Sequence, residues 1–322
     1  MEDNMTGLSF RLRNLSRYSF VLYTYVFLIA LFLVSYSLFP LYRSPANLSN
    51  LLVQIAPLAI AAAGQAVVLI GGGVDLSVGS VISLVTVIAA NLMGSSTAGI
   101  LLGLLMIFAI AALIGLINAV ICNETYIPPL IVTLAMSYVI QGVVLWYKST
   151  PGGSVPRALS NIIVYRFNIL SVPIILVIVA YLVFAFVMSK NVFGLYTYAT
   201  GESEAYARMA GINTKRIRIG GYVISAIMAS VAGLILACRI GSGAPLIGNS
   251  YTLDSLTAAI IGGMTFAGGD GYVIGAFGGA AIIGMINNAL NMSGVEPFYQ
   301  YIFRGGLLIL AMIINSFKRD RK

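Results

Sequence analysis

The chain contains no histidine. That absence alone removes a Ser-His-Asp triad, a Cys-His pair and any histidine-ligated metal centre. Charge is scarce as well: Asp, Glu, Lys and Arg make up 9% of the 322 residues, where an ordinary soluble domain carries about a quarter. Cysteine is limited to Cys122 and Cys238. The topology below sets them near opposite membrane faces, beyond the Cα separation of about 4.4–6.8 Å that a disulfide bridges, so both read as packing residues. A Walker A sequence is missing too. GGGVDLSVGS, at 71–80, has no lysine after its glycines, and KSTPGGS, from Lys148, has the right letters in the wrong order. The chain carries no recognisable nucleotide site, no metal spacing and no catalytic constellation.

What it has in abundance is apolar sequence. Hydrophobic residues are 59% of the total and the mean hydropathy is +0.97, which marks an integral membrane protein. A helix needs about 20 apolar residues to cross a bilayer, so the length leaves room for about ten crossings and little else. The expected fold is an all-α integral membrane protein, one transmembrane domain over 1–322. Apolar runs place its helices at 18–39, 51–70, 78–93, 99–121, 128–147, 169–188, 220–238, 256–264, 273–292 and 298–317. The first run ends in Phe39-Pro40 without a small-residue cleavage site and reads as a spanning helix, not a signal peptide. The eighth is too short to span unless its flanking polar residues, Asp254 among them, lie at the interface.

The net charge of +8 belongs to topology, not to nucleic acid, because the bases sit beside apolar runs instead of forming a broad basic surface. With the N-terminus inside and ten crossings, the cytoplasmic segments hold Arg11, Arg13 and Arg17, then Lys190, Arg208, Lys215, Arg216 and Arg218, then Lys318, Arg319, Arg321 and Lys322. That is twelve of the 18 bases. Arg43, Lys148, Arg157, Arg166 and Arg239 fall outside, and Arg304 lies inside the last helix, with Glu296 as a candidate partner. The positive-inside rule favours this orientation. It makes 1–17 a cytoplasmic N-terminal segment, 189–219 a long cytoplasmic loop and 318–322 a basic cytoplasmic tail.

Polar groups within the apolar runs are the candidates for a solute path. The second helix is unusual in carrying Gln54, Pro57, Gly64 and Gln65. Gln65, Asn118, Ser137, Gln141, Asn287 and Asn288 are uncharged donors and acceptors, suited to a hydroxylated solute better than to an ion; each can equally bond a neighbouring helix. Ser137 and Gln141 are four apart and share a helix face. Asp75 is the most pointed residue, since an ionisable group near membrane depth is placed for function or paired. With Ser77 it can also cap the third helix at an interface. The glycine-bearing segments GGGVDLSVGS and GGMTFAGGDG, near the two ends of the chain, look loosely alike. In the long loop, SEAYARMAG is helix-compatible, with Ser203 as cap and Gly211 as stop. Ala205, Met209 and Ile212 form a small apolar edge beside Tyr206. A helix of about two turns is marginal alone and is explained either by docking into a partner's groove or by lying on its own membrane surface.

Four ordered motifs, GGGVDLSVGS, GESEAYARMAGIN, AAIIGGMTFAGGDGYVIGAFGGA and NNALNMSGV, together resemble the membrane-spanning permease subunits of the ribose-type sugar ABC importers of bacteria. Asp270 stands where that family often has a basic residue. The resemblance implies a ten-helix fold like that of the type II ABC importers, in a bacterial inner membrane. It also implies a second permease copy or relative, a separate cytoplasmic ABC ATPase holding ATP and Mg, and a periplasmic sugar-binding protein. This chain would then be a transporter subunit that does no chemistry and holds no cofactor. Residues 201–213 would be the coupling helix, with Gly201, Glu202, Ala205, Arg208 and Gly211 meeting the ATPase. A monosaccharide such as ribose or galactose is the implied solute; a nucleoside or sugar-like signalling molecule fits the same uncharged path. An ion-coupled secondary transporter would need intramembrane acids, and Asp75, Asp254, Asp270 and Glu296 all fall near predicted helix ends.

Overall fold

The computed structural model describes the backbone of residues 2–167 and 170–319; the side chains at 2–19, 297, 304, 311 and 314–319 fall outside that description. The proposed Arg304–Glu296 pair and the basic tail therefore lie outside the described residues. Helix α1 is Glu2–Leu38, and a 3-10 turn, Pro40–Arg43, leads to α2, Pro45–Ile70. Ser44 starts α2 by accepting the Asn47 amide at 3.2 Å. Then come α3 (Val78–Asn91), α4 (Thr97–Glu124) and α5 (Pro129–Tyr147). A short helix α6 (Arg157–Ile163) and an antiparallel pair, β1 (Arg166–Phe167) and β2 (Leu170–Ser171), lie before α7 (Val172–Lys190). Next are α8 (Val192–Glu202), α9 (Glu204–Met209) and α10 (Thr214–Ile240), and the chain closes with α11 (Asn249–Ile261), α12 (Val273–Met292) and α13 (Pro297–Arg319).

Among the described residues, seven helices are long and apolar enough to cross a membrane: Phe20–Leu38 within α1, then α2, α4, α5, α7, α10 and α12. α3 and α11, of 14 and 13 residues, reach only about 20 Å at 1.5 Å per residue, against a hydrocarbon core of about 30 Å. α11 pairs with the long α12 through a glycine-bearing turn as a hairpin, whereas α3, which follows α2 through the 71–77 turn, packs against α10, α5 and α11. α2 is the axis of the bundle. Its apolar window is 94% buried, whereas that of α1 is 11% buried and that of α5 is 22% buried. The run AIAAAGQA within α2 explains this, because small side chains let helices approach closely. Gly64 shows how closely: a Cβ there would lie 2.9 Å from the Ser225 Cα of α10. α4, α5 and α7 instead turn Leu101, Leu105, Tyr138, Trp146, Leu182 and Phe186 outward, as a lipid-facing layer requires.

Contacts at the two ends fix the helix directions. At the end that carries α8, Gly269 N donates to Ile70 O at 2.8 Å, Lys215 meets Glu124 at 2.6 Å, and Thr24 donates to Ile261 O at 2.8 Å. At the far end, Gly152 and Gly243 exchange backbone hydrogen bonds, Arg166 donates to Asn50 at 2.9 Å, and the Asn47 and Asn288 carboxamides bond each other at 3.2 and 3.3 Å. Successive members of the series α1, α2, α3, α4, α5, α7, α10, α11 and α12 therefore alternate in direction, and α13 leaves from the far end, where Gln300 bonds Asn291 at 2.8 Å.

Most helices lie where the apolar runs predict. α10 begins six residues earlier than its run, so Lys215, Arg216 and Arg218 are inside the helix, which Asn213 caps by accepting the Arg216 amide at 3.1 Å. α11 starts at Asn249 instead of 256, and Asp254, Ser255 and Thr257 are buried within it. Hydropathy misses that start because this helix is surrounded by protein, not lipid, and polar residues are tolerated there.

Candidate functional site

The 71–77 turn does not stay at the surface. It folds back into the bundle and carries Asp75 to full burial together with Gln65, Ser77 and Asn118. Asp75 Oδ1 accepts from Ser77 N at 2.9 Å and Ser77 Oγ at 2.6 Å, and Oδ2 accepts from Ser225 Oγ of α10 at 2.8 Å. Asn118 of α4 donates to Ser77 Oγ at 2.9 Å. Gln65 of α2, with its amide nitrogen toward the Asp75 carbonyl (2.9 Å) and its oxygen toward the Asp75 amide (3.3 Å), closes the other side. Thr133 of α5 accepts from Leu76 N at 3.1 Å, and the Tyr222 hydroxyl of α10 reaches Val74 O at 3.3 Å. A non-helical backbone deep in a membrane protein persists only where protein satisfies it, and four helices do so here. The capping of α3 expected of Asp75 and Ser77 is not made: neither side chain accepts a first-turn amide of α3, and Asp75 instead bonds Ser77 and Ser225 in the interior.

The second glycine turn, 262–272, meets the first. Tyr198 of α8 donates to Gly271 O at 2.8 Å, and Gly201, near the end of α8, sits between the two turns. A Cβ on Gly201 would overlap the Ile70 carbonyl and lie 2.5 Å from Gly269 N; one on Gly268 (φ +80°) would lie 2.7 Å from Gly72 Cα. The two segments that look alike in sequence are thus in backbone contact, with α8 as their common neighbour.

From this junction the chain emerges. Ser203 caps α9 by accepting the Tyr206 amide at 3.4 Å, and Gly211 (φ +81°) ends the turn. Glu204 binds Arg208 at 2.6 Å, and also Arg218 of α10. Partial burial pushes the Glu204 carboxyl upward, but Arg218 and Arg208 outweigh it and hold it below the usual value. Arg208 also donates to Thr214 at 3.1 Å. α9 is therefore anchored through its charged face, while Ala205, Tyr206, Met209 and Gly211 project; Tyr206 and Met209 are each 73% exposed. Glu202 is exposed at the α8–α9 step, its backbone against Gly269.

Toward the far end lies a polar chamber of about 340 Å³, bounded by α2, α10, α11, α12 and α13. Gln54, Arg239, Asp254, Asn287, Asn291 and Gln300 supply its polar wall, and Ile55, Leu58 and Gly284 its apolar part. Of the path residues expected from sequence, Asn287 lines this chamber and Asn288 stands behind it, bonded to Asn47. Gln65, Asp75 and Asn118 meet in the buried turn. Ser137 and Gln141 are half-buried on α5, where Gln141 donates to Pro245 O at 2.9 Å. Sequence reasoning did not single out Arg239, Asn291 or Gln300, and noted Gln54 only as an oddity of the second helix. Their sole signal is polar character beside apolar runs. Among the described residues no group of three acidic or thiol side chains is placed to hold a metal ion.

Residues 47–312 match the family described as the branched-chain amino acid transport system / permease component. The ribose import permease protein RbsC of Escherichia coli (strain K12) is 32% identical over 299 residues, covering 91% of this chain and 92% of that protein. The galactose/methyl galactoside import permease protein MglC of Haemophilus influenzae is 33% identical over 303 residues, 88% of this chain and 90% of that one. The L-arabinose ABC transporter permease protein AraH of Azospirillum brasilense is 32% identical over 286 residues, 88% and 84% of the two chains. No solved structure matches. A bundle of apolar helices around a central, small-residue axis, holding a polar chamber and matched along most of its length by import permeases, is a multi-pass membrane transporter subunit, and the chain belongs to the branched-chain amino acid transport system / permease component family.

Proposed function

We propose that this chain is the membrane-spanning permease subunit of an ATP-binding cassette importer and forms the path for a monosaccharide such as ribose or galactose. The observation that carries the reading is Gly201, wedged between the two glycine turns and continuous with the projecting α9. A push on α9 has a short route through Gly201 to both glycine turns. The alternating helices support a count of ten crossings in which α3 and α11 are the two short ones. The positive-inside rule favours a cytoplasmic α8 end, with both chain termini on that side and the chamber toward the periplasm, in the bacterial inner membrane that the import permeases imply.

In this reading Ala205, Tyr206, Met209 and Gly211 dock on a separate cytoplasmic ATPase, which alone holds ATP and Mg. Arg208 and Glu204 hold the docking turn in shape, and Gly201 and Glu202 pass the displacement on. A periplasmic binding protein delivers solute to the chamber, and a second permease copy or relative completes the assembly. The solute path runs past Asn287 and Asn288; Gln141, with Ser137 one turn away on α5, bonds the loop after α10, and Gln65, Asp75 and Asn118 keep the inner turn folded. The family's description names branched-chain amino acids, but RbsC, MglC and AraH carry sugar names, and the uncharged amides of the chamber suit a sugar better than a branched aliphatic side chain.

The test is uptake of ribose, galactose and L-arabinose into liposomes holding the chain with its ATPase and binding protein. ATP-dependent uptake is expected, and bulky or charged substitutions at Ala205 or Gly211 should leave ATP hydrolysis while abolishing uptake. Uptake by this chain alone, driven by a proton or sodium gradient, would replace the reading with an ion-coupled transporter.

A further inference from the structure

We propose that Gln54 of α2 and Asn287 of α12 are the residues that select the solute in the far-end chamber, binding hydroxyl groups of an uncharged, polyhydroxylated molecule. The inference rests on the transport reading above and goes beyond it by naming the recognition groups. The chamber's polar side chains divide into two kinds. Asn291 is engaged by Gln300 at 2.8 Å and Asn288 by Asn47, and Asp254 has an interaction of its own. Gln54 and Asn287 line the same space and make no hydrogen bond to another described residue. A carboxamide offers two N–H donors and two acceptor lone pairs, and on these two half-buried residues they are open to whatever occupies the chamber. Adjacent hydroxyls on a sugar both donate and accept, so they complement two such groups presented from neighbouring helices.

The shape and charge of the chamber point the same way. Its volume of about 340 Å³ falls at the small-molecule end of the usual range of about 300–1,000 Å³. Ile55, Leu58 and Gly284 lie on the α8 side of the two amides, where a Cβ on Gly284 would overlap Ile55; α2 and α12 therefore close against each other there and give the chamber an apolar floor. Arg239 and Asp254 contribute one charge of each sign to the wall. They offset each other, which disfavours a solute with net charge.

The experiment uses the assembled transporter in liposomes with its ATPase and binding protein, and the sugar among ribose, galactose and L-arabinose that the unaltered complex carries. Gln54→Leu and Asn287→Leu should each lower uptake at limiting sugar severalfold, and together about tenfold or more, as expected for losing hydrogen bonds worth about 0.5–1.5 kcal/mol each. ATP hydrolysis should persist. Gln54→Asn should retain most uptake. Normal uptake by the double variant would overturn the proposal while leaving the transport reading intact; an unaltered complex that carries none of the three sugars would overturn both. A second measurement does not depend on how the leucine variants fold. An Asn287→Cys substitution should react with a small membrane-impermeant thiol reagent, against a background in which Cys122 and Cys238 are buried. The transported sugar should slow that reaction, and labelling indifferent to sugar would remove Asn287 from the recognition site.

Discussion

Gly201→Ala is the sharpest perturbation this structure offers. The added methyl would overlap Ile70 O and lie 2.5 Å from Gly269 N and 3.0 Å from Ile70 C, all backbone atoms that no rotamer change can move. Overpacking of this kind costs about 1–3 kcal/mol. Relief requires the two turns to separate, which breaks the Gly269–Ile70 hydrogen bond at 2.8 Å and adds about 0.5–1.5 kcal/mol. A loss of roughly 2–4 kcal/mol is expected, a large part of the roughly 5–15 kcal/mol that holds a typical domain folded. Two other glycines calibrate it. Gly142 in α5 has nothing within 4 Å of its would-be Cβ, so Gly142→Ala should stabilise by about 0.5–1 kcal/mol. Gly211 also has open space but sits at φ +81°, so its alanine should cost about 1–2 kcal/mol, confined to the end of α9. Thermal unfolding of the purified complex reads the stabilities, and sugar imported per ATP hydrolysed reads the coupling. Gly201→Ala should lower both and Gly142→Ala neither. A Gly201→Ala complex with unchanged melting and unchanged uptake per ATP would refute the wedge between the turns.

The remaining predictions concern the buried turn and α9. Asp75→Ala strands the donors Ser77 N, Ser77 Oγ and Ser225 Oγ and should cost about 1–3 kcal/mol for each one left unpaired; Asp75→Asn, which keeps an acceptor for Ser77, should cost clearly less in the same melting assay, and equal losses would contradict the network. Thr133→Val keeps the shape but removes the acceptor of Leu76 N, and a loss of about 1–3 kcal/mol is expected. Glu204 is held below its ordinary pKa of 4.5 by its arginines, so its contribution is complete above about pH 4.5 and fades as pH falls through the lower folded value. Hydrogen exchange at the α9 amides should accelerate over that acid range in the native chain and show no such step in Glu204→Gln.

Much of this architecture is legible in the sequence, and the exceptions share a cause. Helices that face lipid announce themselves: α4, α5 and α7 are apolar along most of their length, and their runs predict them to within a few residues. α11 is half-hidden because its first turns, Asn249 to Asp254, are mostly polar and largely half-buried, a setting that hydropathy cannot distinguish from a loop. α8 is hidden for a related reason, since its role depends on Gly201 and Tyr198 touching turns about 70 to 130 residues away. The cap at Ser203 and the stop at Gly211 are local chemistry and were readable. Gln65, Asp75 and Asn118 were recognisable as unusual but not as partners, because three helices must pack before a carboxamide of α4 can meet a serine held by an aspartate. Asn287 and Gln54 pose the same difficulty from the other side: nothing in their spacing indicates that one chamber joins them.

The way the two glycine turns are tied constrains how any motion can pass through them. α8 bonds the second turn through Tyr198 and Gly271 and is pressed against Ile70 and Gly269 through Gly201, so a displacement of α9 that moves α8 must move both turns together. The first turn is in turn bonded by α2, α4, α5 and α10, and the second to α8 and to Ile70, with further interactions at Met264, Gly269, Asp270 and Tyr272. α12 carries Asn287 and Gly284, and α11 carries Asp254, so the hairpin around the second turn supplies one wall of the polar chamber while α2, which leads into the first turn, supplies another with Gln54. Both walls thus lead to the turns that α8 joins, and α11 and α12 pack along α2 between the chamber and those turns, so a displacement that reaches one wall is passed to the other.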